Sequence, residues 1–336
     1  MSLHRSFSQT TMADTGITDA SHPFSPTSDE LNPPDVIIRS SDMVDFHVHK
    51  AILSFGSVVF KDMFSFPEPT GEQANPKRDG KSVVELTEKS ESLKQLLILC
   101  YPRITGSSIL RQLDGIDGAY EAAGKYQIPG AQHILTQALL DPLVLENEPH
   151  RVFAIACHCG LKTVAKTAAI ATLKLPSHIA HLPSIPEFRL ISAYHLWQLN
   201  DFYRLCSEAL PALLDELLRP VHLGDDPVDS PAQIWWQMKG HSETCGPSEE
   251  PGAYLHSSKW FKDHVRRVKV ASVLRPHPGS LSDAMNDISG PTWKAMAGCR
   301  RCMLCARDHL RGVGIQLHDK VTEAHAEILN KFSFAD

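Results

Sequence analysis

Cysteine and histidine side chains that suit a metal ion are concentrated toward the C-terminal end of the chain. Cys299, Cys302 and Cys305 form two overlapping C-x-x-C pairs, and His241 and Cys245 form an H-x-x-x-C pair before them. One C-x-x-C pair can supply two thiolates to a tetrahedral zinc ion, and the other two ligands must come from elsewhere. The spacing therefore predicts a zinc site in which His241 and Cys245 complete the ligand set. The alternative is a group of metal-free cysteines near a turn.

The free energy of metal binding decides whether such a site can form. Bringing together two ligand pairs that are far apart in sequence costs roughly 3 to 4 kcal/mol in chain entropy. Structural zinc binding contributes about 10 to 16 kcal/mol near neutral pH, so the metal prevails if the ligands converge. A zinc ion with four protein ligands has no open coordination position, and we therefore expect its role to be structural.

The motifs of common enzymes are missing from the sequence. It has no G-x-S-x-G elbow, no phosphate-binding G-x-x-x-x-G-K-S/T loop, no G-x-G-x-x-G fingerprint and no H-E-x-x-H pair. Gly312 and Gly314 form a lone G-x-G without the third glycine, and the 18 histidines are scattered. We therefore predict that the protein is not an enzyme, has no catalytic or cofactor-binding residues, and uses structural zinc as its cofactor.

Composition and hydropathy indicate a soluble intracellular protein. The 336 residues are 42% hydrophobic and 21% charged, which is typical of a globular chain with two or three domains. No apolar run approaches the roughly 18 to 20 residues that span a bilayer, and no apolar signal-peptide core follows the N-terminal arginine. We expect a cytoplasmic or nuclear location without membrane contact, where the eight cysteines stay reduced or bind metal.

Positive charge is concentrated in residues 253–312. This segment holds eleven Lys and Arg against four Asp, a net charge of +7 in a chain whose total is −6. Such a segment can attract nucleic acid or an acidic protein partner. The alternative is a solvated helix face that binds neither. The two are distinguished by whether these side chains form one exposed face.

Two strands and two helices are predicted in a short segment of the N-terminal half. Residues 36–38 are an apolar run, a polar turn follows, and residues 44–48 alternate between apolar and polar types with the period of a strand. We expect His47, on the polar side of that strand, to be exposed. The apolar residues that follow, Phe55 among them, are spaced as on buried helical faces, and Ser57 is suited to cap the second helix.

This segment resembles the BTB/POZ domain. The core of that family begins with an aspartate-valine strand start, continues through phenylalanine, x, x, histidine, basic, alanine, x, leucine, and ends with a serine, x, x, phenylalanine helix. The matching residues are Asp35, Val36, Phe46, His49, Lys50, Ala51, Leu53, Ser57, Phe60 and Phe64. Phrases such as AAGKYQIPG and RVFAIACHCGL are similar to a large fungal branch of the family. In that branch's pattern Cys302 and Cys305 match the second ligand pair, which leaves open whether Cys299 or Cys305 completes the metal site.

The resemblance implies an α+β fold in which a short β-sheet carries helical hairpins. A further strand is expected at Val83–Leu86 and a helix at Ser92–Tyr101. A closing helical pair is expected at Gly115–Lys125 and Ile128–Leu140.

Four regions are predicted along the chain. Residues 1–32 are rich in Ser, Thr, Asp and Pro and poor in large aliphatic residues, which predicts a disordered tail, and residues 33–148 are expected to form the BTB/POZ domain. Residues 149–219 form an all-helical extension that resembles the BACK type, in which two packed helices are separated at Asn200. Residues 220–336 form a small C-terminal unit that contains the candidate zinc site.

The resemblance also implies a function in protein–protein interaction. BTB/POZ domains form isologous homodimers through an apolar helical surface, and we predict a scaffold that homodimerises and presents its C-terminal half to a partner. The alternatives are a substrate adaptor of a cullin-type ubiquitin ligase and a nuclear regulator that binds chromatin or nucleic acid through residues 253–312. The expected interface residues are Asp35, Val36, His49, Lys50, Val59 and Phe60.

The cullin alternative depends on one short contact. Cullin-binding members carry a hydrophobic-x-glutamate contact just after the helix that ends here near Tyr101. This chain has no glutamate between that position and Glu121. Because an interface that lacks its central anchor loses much of its affinity, we predict weak or absent cullin binding.

Overall fold

The computed structural model describes residues 16–26, 32–67, 76–101, 112–176, 184–218, 221–222, 254–255 and 258–335. The chain divides into two compact units, unit 1 (Met1–Asp141) and unit 2 (Pro142–Asp336). Within the described ranges, no helix is both long and apolar enough to cross a bilayer.

Unit 1 is built on a five-stranded mixed sheet with the strand order β1-β3-β2-β5-β4. The hairpin of β2 and β3 is antiparallel and pairs Val36 with Val48, whereas β5 joins β2 and β1 joins β3 in parallel. The strands are β1 (Thr18–Asp19), β2 (Val36–Arg39), β3 (Val44–Val48), β4 (Lys77–Arg78) and β5 (Lys81–Glu85).

The helices of unit 1 bury the apolar side chains of the sheet. Val36 and Ile38 of the sheet pack in one cluster with Leu53, Phe60 and Leu96 of the helices. The strands and helices predicted for this region are all present, and the BTB-like α+β architecture is confirmed. The helices are α1 (Lys50–Gly56), α2 (Val58–Ser65), α3 (Ser90–Cys100), α4 (Ile116–Lys125) and α5 (Pro129–Leu139).

Residues 16–26 are folded, and the prediction of a disordered tail is wrong for this stretch. The main chain of β1 pairs with β3, and the N–H of His47 donates to the carbonyl of Phe24 at 2.9 Å. The Phe24 side chain is only 1% exposed, and its ring lies 6.0 Å from that of Phe46 and 5.3 Å from that of Tyr101. One buried aromatic ring and a few backbone hydrogen bonds thus hold a segment whose composition is otherwise polar. The remaining residues of the predicted tail, 1–15 and 27–31, lie outside the described ranges.

Unit 2 is helical and begins at Pro142, so the predicted domain end at Glu148 is too late. A short antiparallel pair, β6 (Val221–His222) and β7 (Tyr254–Leu255), accompanies the helices. The helices are α6 (Pro142–Asn147), α7 (Pro149–His158), α8 (Lys162–Thr172), a 3-10 helix (Pro186–Leu190), α9 (Ala193–Glu216), α10 (Lys259–Leu274), α11 (Pro278–Asn286), α12 (Pro291–Met296) and α13 (Arg300–Leu329).

The predicted boundary between a helical extension and a separate C-terminal unit is wrong. Leu210 and Leu214 of α9 belong to the same apolar cluster as Phe261 of α10, Leu281 of α11 and Leu310 of α13. Helices α10 and α13 each pack against both α9 and α11. The four helices therefore surround one core.

Helix α9 is continuous, which corrects the prediction of two helices separated at Asn200. Its buried side includes Phe202 and Cys206, whereas Tyr194 and Trp197 are exposed and stack with ring centroids 5.7 Å apart. The two apolar stripes seen in the sequence are thus an exposed stripe followed by a buried one on a single helix.

Candidate interaction surface

Two side chains from outside the helix hold the N-terminal end of α1. The Asp35 carboxylate accepts a hydrogen bond from the backbone N–H of Lys50 at 2.8 Å. The Tyr101 hydroxyl accepts from the backbone N–H of His49 at 2.9 Å and lies 3.0 Å from Nδ1 of the same residue. The His49 Nε2 lies 2.7 Å from the carbonyl oxygen of Asn32. Because a carbonyl oxygen only accepts, Nε2 donates to Asn32, and in a neutral ring Nδ1 then accepts the hydrogen of the Tyr101 hydroxyl.

The protonation state of Tyr101 supports this arrangement. Burial raises the pKa of Tyr101 to about 12, so the hydroxyl keeps its proton at neutral pH. Asp35 and His49 belong to the family pattern, and their hydrogen bonds here fix the start of α1.

The exposed surface where α1 meets the start of α2 is apolar. Ala51 and Phe55 lie one helical turn apart on α1, and Val58 begins α2. The Phe55 side chain is 97% exposed and that of Val58 is 57% exposed. Ser57 lies between the helices and caps α2, since its hydroxyl oxygen accepts from the backbone N–H of Phe60 at 3.0 Å. We call Ala51, Phe55 and Val58 the apolar face.

For two of the predicted interface residues the prediction is wrong, because their side chains are buried. Val36 and Phe60 are completely buried in the core of unit 1, so their side chains are not available to a partner. Val59 is half-buried and packs against the same core. Asp35 is exposed and His49 and Lys50 are half-buried, beside the apolar face on the same helix.

Phe55 was misassigned because helical spacing alone does not say which side of a short helix is buried. Leu53 is the buried residue of α1, and Phe55 lies on the opposite side of the helix. The sequence does place Leu53 and Phe55 on opposite sides of the helix, so the two cannot belong to one buried face.

A charged network crosses the sheet of unit 1. Asp45 of β3 is completely buried and accepts hydrogen bonds from Arg39 of β2 at 2.7 and 2.9 Å and from Arg78 of β4 at 2.6 Å. Arg78 also bonds Asp19 of β1, which lies 2.9 Å from Nε2 of His47. Burial alone would raise the pKa of Asp45, but the hydrogen bonds from the two arginines hold it below its usual value.

The charged network explains why His47 is buried and what role Asp45 has. His47 is buried rather than exposed, because β1 and Asp19 cover the polar side of its strand. Two guanidinium groups satisfy the hydrogen-bonding capacity of the buried Asp45 carboxylate. We therefore interpret the network as structural, holding β1 to the sheet, and not as a reactive site.

The predicted zinc ligands are only partly described by the structure. His241 and Cys245 lie outside the described ranges. Cys299 precedes the first turn of α13 and Cys302 lies in it, and both are buried in the apolar cluster of unit 2, against which the half-buried Cys305 packs. Among the described residues, no group of three or more His, Cys, Asp or Glu side chains is arranged to hold a metal ion. Zinc binding therefore stays a prediction.

The positive charge of residues 253–312 is divided between helices. Lys259 and Arg266 are exposed on α10, and Arg300, Arg307 and Arg311 are exposed on α13. Within the described part of this segment, the basic side chains therefore belong to two helices and do not follow a single one.

Comparison with known families identifies the N-terminal part of the chain. Residues 26–143 match the family model of the BTB/POZ domain. The chain therefore carries a BTB/POZ domain, which is a protein–protein interaction module, and the resemblance of this segment to the BTB/POZ domain is confirmed. A comparison with curated proteins gave no match.

Proposed function

We propose that this protein is a scaffold that homodimerises through its BTB/POZ domain and presents its C-terminal half to a partner. The observation that supports this most directly is the exposure of Phe55, whose ring has almost no contact with its own chain. Burying a phenylalanine side chain contributes about 1.5 to 3 kcal/mol. In an isologous dimer every contact occurs twice, so a small apolar face contributes its burial free energy twice.

The composition of the surrounding surface favours a protein partner for this face. Ala51, Phe55 and Val58 carry no charge, whereas Lys61 and Asp62 are exposed on the next turn of α2. An apolar centre beside charged residues is the usual anatomy of a protein interface. Asp35, His49 and Lys50 lie at the other end of α1 and are placed to form part of the rim.

The test is the oligomeric state of the full-length chain at tens of micromolar, measured by sedimentation and light scattering. We expect a dimer for the natural sequence and a monomer for Phe55→Asp and for Val58→Asp. The matched control is Val270→Asp, which changes a side chain of α10 that is 71% exposed, and should leave the dimer intact. A monomeric natural chain would refute dimerisation, and a dimer that survives both changes would refute this interface.

A further inference from the structure

One side of helix α13 carries three arginine and two aliphatic side chains. Arg300, Leu304, Arg307, Arg311 and Ile315 follow one another at spacings of three or four residues, so they lie on one side of the helix. We call these five residues the arginine stripe. The stripe is about 22 Å long at 1.5 Å per residue.

The arginine stripe faces solvent, and its aliphatic members are largely uncovered. The side chain of Leu304 is 70% exposed and that of Ile315 is 56% exposed. The opposite side of α13 is buried against the core of unit 2, through residues such as Cys302, Ala306 and Leu310. The stripe is therefore part of the solvent-facing side of a helix whose opposite side is packed against the core.

The arginines of the stripe are uncommitted, in contrast to basic residues elsewhere in unit 2. Among the residues that the structure describes, no ion pair involves Arg300, Arg307 or Arg311. On α10, by comparison, Arg266 pairs with Asp263 at 3.0 Å and Lys269 pairs with Asp215 at 2.8 Å.

We propose that the arginine stripe is a docking surface for an acidic amphipathic helix of a partner protein, a step that rests on the proposed scaffold function. Leu304 and Ile315 are three helical turns apart, so a partner helix with aliphatic residues at matching turns can cover both. Carboxylates on the flanks of that helix meet the three arginines, whose planar guanidinium groups bind carboxylates through two hydrogen bonds.

Nucleic acid fits this surface less well. Phosphates can pair with the arginines, but they leave two exposed aliphatic side chains without an apolar partner. Electrostatic binding to a duplex also gains from many basic residues on one face, and here they are divided between α10 and α13. An acidic helix uses both kinds of side chain in the stripe.

The test selects peptides from a phage-displayed library of helical sequences, with the full-length chain as target. The selected peptides are expected to be rich in Asp and Glu beside aliphatic residues that recur every three or four positions. Fluorescence anisotropy with the tightest peptide then compares variants of the chain. We expect Leu304→Asp and Arg307→Gln each to weaken binding about tenfold or more.

The matched control is Arg266→Gln, which removes a paired arginine from α10 and should leave peptide affinity unchanged. Circular dichroism of each variant checks that the fold is intact. Selected peptides without acidic amphipathic character would overturn the proposal. Tighter binding of a 20-base-pair DNA duplex, lost equally in Arg266→Gln and Arg307→Gln, would overturn it in favour of nucleic acid.

Dimerisation and docking can fail separately in these experiments. The Phe55→Asp variant should still bind the selected peptide, because the arginine stripe is in unit 2 and Phe55 is in unit 1. A dimer that selects no acidic helix would leave the scaffold proposal in place and remove its acidic partner. A monomer that binds the peptide would refute dimerisation and leave the docking proposal in place.

Discussion

The hydroxyl of Ser57 donates a hydrogen bond of 2.6 Å to the backbone carbonyl of Tyr126, at the end of α4. The same oxygen accepts the N–H of Phe60, so one buried side chain serves both the start of α2 and the end of α4. The break between α1 and α2 is thereby tied to the helical pair that closes unit 1. This contact helps to set the direction in which Phe55 and Val58 project.

Ser57→Ala should destabilise unit 1 by about 2 to 3 kcal/mol, because it removes a helix cap and leaves the Tyr126 carbonyl without its partner. Hydrogen exchange of the α1 and α2 amides measures the change without interference from unit 2. Ser65→Ala, at an exposed hydroxyl bonded to the carbonyl of Asp62, is the control and should change little. Equal exchange in the two variants would show that the Ser57 contact is dispensable.

Asp45→Asn should destabilise unit 1 by about 3 kcal/mol, since it leaves Arg39 and Arg78 facing a neutral side chain at a buried position. Hydrogen exchange of β2 and β3 provides the measurement. Asp62→Asn, which changes an exposed carboxylate of α2, is the matched control. A loss below about 1 kcal/mol would mean that water replaces the lost charge at little cost.

Unit 2 should lose stability as the pH falls from about 6.5 toward 4. Burial lowers the pKa of His325 to about 4, and burial with the nearby charge of Lys174 does the same for His277. Both histidines are neutral in the folded state and bind protons once unfolded, so their contribution is complete above the ordinary pKa of 6.5 and is lost below it. In addition, Nδ1 of His277 accepts the N–H of Gly279 at 3.0 Å, which a protonated ring cannot do.

The measurement is thermal unfolding followed by tryptophan fluorescence, since Trp260 is buried in the core of unit 2. His325→Leu should remove about 2 kcal/mol of the difference in stability between pH 7.5 and pH 5. His133→Gln changes an exposed imidazole of unit 1 and serves as the control. A pH profile that is the same in both variants would contradict the assignment to His325.

The sequence predicts that the protein, purified without chelator, contains one zinc ion per chain. With His241, Cys245, Cys302 and Cys305 as ligands and Cys299 as the substitute, Cys302→Ser should lower the metal content measured by elemental analysis. Cys206→Ser changes another buried cysteine of unit 2, outside the predicted ligand set, and should lower stability without changing metal content. A metal-free chain that folds stably would refute the predicted zinc site.

Cullin binding should be weak or absent. Helix α3 ends at Cys100, as the resemblance requires, but the contact segment that follows at residues 102–111 lies outside the described ranges. Calorimetry of the full-length chain against a cullin N-terminal domain decides the matter. A submicromolar complex would show that another residue replaces the missing glutamate and would restore the ligase-adaptor alternative.

Sequence reasoning succeeded where local periodicity and capping determine structure. The alternation in residues 44–48 and the apolar run at 36–38 identify the central hairpin, and Ser57 was recognised as a cap. The family pattern then supplied β5 and helices α3 to α5. These elements depend on contacts close in sequence or on a pattern shared by the whole family.

The failures involve contacts between residues far apart in the chain. Phe24 has polar or proline neighbours in sequence, and its segment folds through the pocket beside Phe46 and Tyr101 together with the pairing of β1 with β3. The joining of α9 to α10–α13 is likewise invisible in composition, because the Pro- and Asp-rich stretch after Leu218 resembles a domain linker. Neither contact has a sequence signal of its own.

The N-terminal strand has a practical consequence for trimmed forms of this protein. The family match begins at residue 26, after β1 and Phe24. A fragment cut at that boundary would expose the free edge of β3 together with the hydrophobic pocket that Phe24 fills. Uncovered edge strands recruit other chains, so such a fragment should precipitate or form ill-defined oligomers, whereas one that starts before Gly16 should stay in solution.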